Sequence, residues 1–222
     1  FPSVIPPAVI HIRPLRGRQD ATCESSIKDS CGMVAFYFLT HRFKRSMLEI
    51  TSETSYDVLW KYLLPYKTKP LPADVTFTVA AGKKEYDIIR LYESSVDFFS
   101  QKIIDVLSQF VDMSDKCYPI RIEGVEEQYY VIYNLKKYKF LNLDENLFED
   151  EPGCIDVQDE SLPIFSLEGT KCIVVSESIK DALLKSKVSN ITLTECFGCS
   201  LDEYRKIKKS KVKPEVHVYS DK

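Results

Sequence analysis

The sequence predicts an α+β fold: a mostly antiparallel sheet flanked by two Ser-capped helices, laid out as two strand–helix–strand units. Three observations carry this expectation. The first is an internal echo. The run Val174-Val175-Ser176-Glu177-Ser178-Ile179-Lys180-Asp181-Ala182-Leu183 follows the pattern of Phe98-Phe99-Ser100-Gln101-Lys102-Ile103-Ile104-Asp105-Val106-Leu107, with Ser, Ile, Asp and Leu coinciding. The second is the spacing after each serine. Ile103, Val106, Leu107 and Phe110, and then Ile179, Ala182 and Leu183, recur at helical intervals. The third is a strand-like segment after each helix, Tyr118 to Ile122 and Ile191 to Thr194.

In each copy two apolar residues precede the serine, so a short strand is expected to end where a helix begins. A serine there can satisfy the free amide groups of the first helical turn. Glu177 in that turn opposes the positive end of the helix dipole. A nucleophilic serine at such a corner calls for Gly-x-Ser-x-Gly, which neither copy has, so both serines are read as caps.

The other elements follow in order. Residues 1–32 hold four prolines and no clear period, and read as an extension or leader. A folded domain is expected over 33–205, opening with the strand-like run Met33 to Thr40. Ser55 to Leu64 suits a short helix stopped by Pro65, and Asp74 to Val79 alternates like a strand. Tyr118 to Ile122 and Gln128 to Leu135, separated by Glu123-Gly124, predict an antiparallel hairpin, and alternation continues through Tyr138 to Leu143. Tyr129, Tyr130 and Tyr133 read as packed strand residues, the alternative being a base-stacking platform. Residues 206–222 read as a basic C-terminal tail.

Composition narrows the function. With 222 residues, 44% hydrophobic and 12% aromatic, the chain can bury a substantial core. A formal charge of -3 argues against a dedicated nucleic-acid binder, and the basic run Tyr204 to Lys213 is short. No apolar run is long enough for a membrane span, and no secretory signal is visible. Seven irregularly spaced cysteines point to a reducing, cytoplasmic setting with mostly buried thiols.

Two stretches are candidate sites. Between Asp144 and Glu160 there is no Lys or Arg, and Glu149, Asp150, Glu151, Asp156, Asp159 and Glu160 form an acidic segment suited to a basic protein partner. A solvated loop is the plainer reading. The acids lack the spacing of a calcium loop. Cys196-Phe197-Gly198-Cys199 is a Cys-x-x-Cys, compatible with a redox pair or half a zinc site, but no second pair accompanies it. Incidental buried thiols are the third reading. Phosphate-cradling glycine loops and His-Glu-x-x-His are absent, and no cofactor is called for.

Taken in order, Asp87-Ile88-Ile89, Phe99-Ser100-Gln101-Lys102-Ile103, Tyr118-Pro119-Ile120, Tyr129 to Asn134 with Leu143-Asp144, Leu162-Pro163-Ile164-Phe165 and Val174 to Leu183 resemble the immunity proteins of bacterial polymorphic toxin systems, in the family typified by a myxobacterial immunity protein. The resemblance spans about residues 35–200. It departs at Asn190 to Leu193, where such proteins carry a glycine, and in having one Cys-x-x-Cys where some relatives have two. The resemblance implies a non-enzymatic protein that binds a cognate toxin domain and blocks it, the acidic segment being the expected contact. The alternative is a thiol-dependent enzyme or redox protein using Cys196 and Cys199.

Overall fold

The structure, a computed structural model, describes residues 34–94, 96–141, 153–159, 161–210 and 216–219. The proposed leader, residues 1–32, lies outside them. The fold is α+β, with two sheets where the sequence suggested one.

The first sheet has seven strands, ordered β13 (Val216–Tyr219), β12 (Ile191–Gly198), β1 (Val34–His41), β11 (Ile173–Ser176), β10 (Ile164–Leu167) and β8 (Lys137–Tyr138). β9 (Gly153–Ile155) pairs with the far end of β12. The second sheet has six strands, ordered β3 (Thr78–Ala81), β2 (Glu49–Thr51), β4 (Ile88–Leu91), β5 (Asp97–Ser100), β7 (Tyr129–Ile132) and β6 (Cys117–Ile120). Among these named strands, parallel pairing is confined to β2–β4, β8–β10 and β9–β12. Four described helices complete the chain: α1 (Tyr56–Leu59), α2 (Gln101–Leu107), α3 (Glu177–Lys185) and α4 (Leu201–Ser210).

The echo in the sequence is one part of a larger duplication. The series β1-β2-β4-β5-α2-β6 is repeated as β7-β8-β10-β11-α3-β12, and the registers coincide. Ile88 faces Phe99 as Ile164 faces Val175. Ile50 faces Leu91 as Tyr138 faces Leu167, both across parallel pairs. Ser100 faces Tyr129 as Ser176 faces Phe36, and Tyr129 faces Ile120 as Phe36 faces Cys196. The last two equivalences reveal an exchange. The first strand of each repeat lies in the sheet of the other: β1 between β11 and β12, β7 between β5 and β6.

Both serines stand at the helix N-cap positions with extended backbone, φ -65° at Ser100 and -69° at Ser176, but neither side chain caps its helix. The expected cap is corrected in both copies. Ser100 Oγ donates to Asp87 Oδ1 at 2.8 Å, a charge-assisted bond that outcompetes a neutral amide. Ser176 Oγ pairs with Ser178 Oγ at 2.9 Å.

The helices meet the sheets in a central core. Ile103, Ile104, Val106 and Leu107 of α2 and Ile179 and Leu183 of α3 pack with Ile88, Phe99 and Ile132 from one sheet and Tyr37, Leu39, Ile173, Val175 and Leu193 from the other. Strand alternation sends Phe36 and Phe38 to the opposite face, where they meet Ile155, Phe165, Leu167, Val174 and Cys196. Polar ties join the repeats at the core's edge. Asp87 accepts the Ser189 N–H at 2.6 Å, and Asn190 donates from Nδ2 to the Ile88 carbonyl at 3.0 Å.

The hairpin forms as expected, β6 against β7. Tyr129 is buried with its hydroxyl on the Tyr86 carbonyl at 2.8 Å, so it serves the core and offers no face for stacking. The helix over Ser55 to Leu64 is only four residues long, α1. The strand at Tyr138 to Leu143 shrinks to β8 and a single bridge, Phe140 to Ile155. The basic tail is corrected most. Its start is the second half of α4, and β13 pairs antiparallel with β12 from Ile191 to Thr194.

Candidate functional site

α4 and β13 have no counterpart in the first repeat, whereas β9 answers the chain through Phe77: Ile155 faces Gly198 and accepts the Cys199 N–H as Phe77 faces Ile122 and accepts the Glu123 N–H. β9 lies parallel to β12, with Gly153 opposite Cys196, Cys154 opposite Phe197 and Ile155 opposite Gly198. Two glycines permit this close approach. A Cβ at Gly198 would stand 2.5 Å from the Val157 carbonyl oxygen and 2.8 Å from the Phe36 ring. A Cβ at Gly153 would stand 2.7 Å from the Phe38 ring. β12 thus does hold a glycine, at its far end and not at the start where the resemblance placed one.

Of the acidic segment, Glu149, Asp150, Glu151 and Glu160 lie outside the described residues. Asp156 and Asp159 are exposed on the chain leaving β9. Backbone bonds hold this chain in place: Asp156 N–H donates to the Lys139 carbonyl at 3.0 Å, and the Leu162 N–H to the Asp159 carbonyl at 3.4 Å. Asp159 also accepts the hydroxyl of Ser161 at 2.6 Å and its N–H at 3.0 Å, which lowers the carboxyl's pKa. Asp156 and Asp159 therefore present exposed carboxylates from an anchored loop.

The Cys-x-x-Cys does not form a site as a pair. Cys196 sits in β12 with its side chain among Phe36, Phe38, Phe165 and Val174, and it is fully buried. Burial pushes its thiol well above the ordinary range, the condition of an inert cysteine. Cys199 lies past the end of the strand in a separate cluster with Cys154, Phe197 and Tyr204, against which Leu141 packs. Its N–H donates to the Ile155 carbonyl at 3.0 Å. Its hydrogen bond with Cys154 lowers its pKa, outweighing burial. The structure thus replaces the expected partner Cys196 by Cys154. Nothing in the local sequence pairs Cys154 with Cys199. Only the parallel pairing of β9 with β12 brings them together.

α4 closes over this cluster through Tyr204, which is 9% exposed. Its start is a reciprocal capping box. Glu203 N–H donates to Ser200 Oγ at 3.3 Å, while Ser200 donates its N–H and its hydroxyl to Glu203 Oε2, both at 2.7 Å. These bonds lower the Glu203 pKa.

Among the described residues no cluster of three or more His, Cys, Asp or Glu side chains is arranged to hold a metal ion, and no helix is long and apolar enough to cross a membrane. Comparison of the chain with protein-family models, curated proteins and solved structures finds no match.

Proposed function

We propose that this chain is an immunity protein that binds a cognate bacterial toxin domain and neutralises it by occluding its active site, using the acidic surface beside β9. The observation that carries the reading is the placement of Asp156 and Asp159. They are exposed, on the chain that leaves β9 and is held by backbone bonds. An anchored anionic surface needs little ordering when it meets a basic partner, and its field accelerates encounter. The competing thiol enzyme finds less support, because Cys196 is enclosed by aromatic side chains and held protonated.

The decisive experiment is co-purification with the toxin domain encoded beside the gene, paired with growth rescue of cells expressing that toxin. A tight complex with rescue, and no chemical change to toxin or substrate, supports occlusion. Rescue without a complex points to an enzyme that reverses the damage. The surface is tested by reversing Glu149, Asp150, Asp156 and Asp159 to Lys. The expected result is association slowed by about 10-fold or more, with weaker salt dependence than the wild type. Unchanged affinity after all four reversals rejects the acidic dock.

A further inference from the structure

We propose that Cys154 and Cys199 are an oxidisable dithiol, a modification site that peroxide converts to a disulfide joining β9 to the start of α4. The geometry supplies the pairing. Cys154 faces Phe197 across a parallel pair, and Cys199, two residues on, is its diagonal neighbour on the same face. The Cys199 N–H bond to Ile155 at 3.0 Å fixes that register beyond the end of β12. Both side chains belong to one small cluster, separate from the one that takes Cys196, and the Cys154 thiol is hydrogen-bonded to Cys199.

The hydrogen bond with Cys154 favours the Cys199 thiolate, and the steps are written from that thiol. Its thiolate attacks hydrogen peroxide, the O–O bond breaks, and a sulfenic acid and hydroxide result. Cys154 Sγ then attacks the sulfenic sulfur. The S–O bond breaks, the S–S bond forms, and the Cys154 proton leaves with the oxygen as water. Two thiols have lost two electrons and two protons, and one peroxide has become two waters. Both thiols are as fully buried as Cys196, and what sets them apart is the paired thiol; the apolar cover of Tyr204 and Leu141 admits a small neutral oxidant more readily than a bulky charged disulfide.

The bond would tie β9, which the acidic segment flanks, to α4. That consequence rests on the docking role proposed above, whereas the dithiol does not.

The test uses the full reduced chain under native conditions. It is treated with hydrogen peroxide, quenched, alkylated in denaturant, and mapped by peptide mass spectrometry. The expected result is loss of two of the seven thiols, a mass lower by two hydrogens, and one cross-linked peptide pair containing Cys154 and Cys199, all reversed by dithiothreitol. Cys196→Ala keeps the cross-link. Cys154→Ser abolishes it and leaves Cys199 as a sulfenic or sulfinic acid. A cross-link between any other pair overturns the proposal. So does over-oxidation of Cys199 beside a reduced Cys154 in the unsubstituted chain, or full resistance of both thiols. None of these readouts involves a toxin, so failure here leaves the docking proposal standing, and loss of docking leaves the dithiol.

Discussion

Replacing Gly198 by Ala tests how tightly β9 and the chain leaving it are seated on β12. The new Cβ would lie 2.5 Å from the Val157 carbonyl oxygen and 3.0 Å from Val157 Cγ1, with the Phe36 ring at 2.8 Å. A relaxed carbon–oxygen contact is about 3.3 Å, so the overlap is about 0.8 Å. The closest obstacle is backbone and cannot rotate away, and Phe36 is fully enclosed. Overpacking of this kind costs up to about 3 kcal/mol. Against it, alanine stabilises by restricting the unfolded chain, by about 0.4–1 kcal/mol. The net loss expected is about 2 kcal/mol, a fall in melting temperature of about 4–8 °C for a chain of this size. The control is Gly124→Ala. Gly124 has φ +76° and nothing within 4 Å of a built Cβ. It bears only left-handed strain of about 1–2 kcal/mol, less the same unfolded-state gain. Urea unfolding of both variants, read by tryptophan fluorescence and circular dichroism, separates the two effects. If Gly198→Ala costs no more than Gly124→Ala, β9 is not clamped and the argument for an anchored acidic surface fails.

Other outcomes follow from the same contacts. Ser100→Ala removes a hydrogen bond to the part-buried Asp87 and is expected to cost about 1–2 kcal/mol, whereas Ser176→Ala, whose partner is the exposed Ser178, stays within about 0.5 kcal/mol; equal losses in urea unfolding would restore the capping reading. Asn190→Ala gives up the bond to Ile88 and places alanine at φ 58°, for a loss of about 2 kcal/mol; Asn190→Gly keeps the backbone relaxed and should recover about half of it in the same assay. Glu203 has a lowered folded pKa, so its contribution is present above the unfolded value near 4.3 and fades as pH falls through the folded one. A carbon NMR titration of its carboxyl should inflect below that value, and Ser200→Ala, which keeps the backbone N–H bond and removes the hydroxyl, should move the inflection part of the way up; an unmoved inflection refutes the hydroxyl's share.

How much was legible beforehand differs between the framework and the site. The strand–serine–helix corners were readable because each is local. An apolar pair, a small polar residue and a helical period lie within ten positions, and both copies formed as expected. The destination of each serine hydroxyl was not readable, because its competitor is distant: Asp87 reaches Ser100 through the pairing of β4 with β5. The hairpin of β6 and β7 was visible for the same local reason. The exchange of β1 and β7 left no trace in the residues, since Phe36-Tyr37-Phe38 alternates equally well in either sheet.

The site shows the same division. Acidity between Asp144 and Glu160 is a property of composition, and the sequence displays it directly. Cys-x-x-Cys is a property of spacing, and spacing misled: positions an odd number apart on an extended chain point to opposite faces, so Cys196 turned into the aromatic core while Cys199, three residues on, met a cysteine far back in the chain. By itself the sequence determined the strand–helix corners, the β6–β7 hairpin, the apolar faces and the charge they carry, because these depend on neighbours within a few residues. The tertiary structure alone decided which sheet each strand joined, which thiol faced which, and where Asp156 and Asp159 stand. Those depend on register between distant strands, set by how the apolar faces of both repeats close on one core.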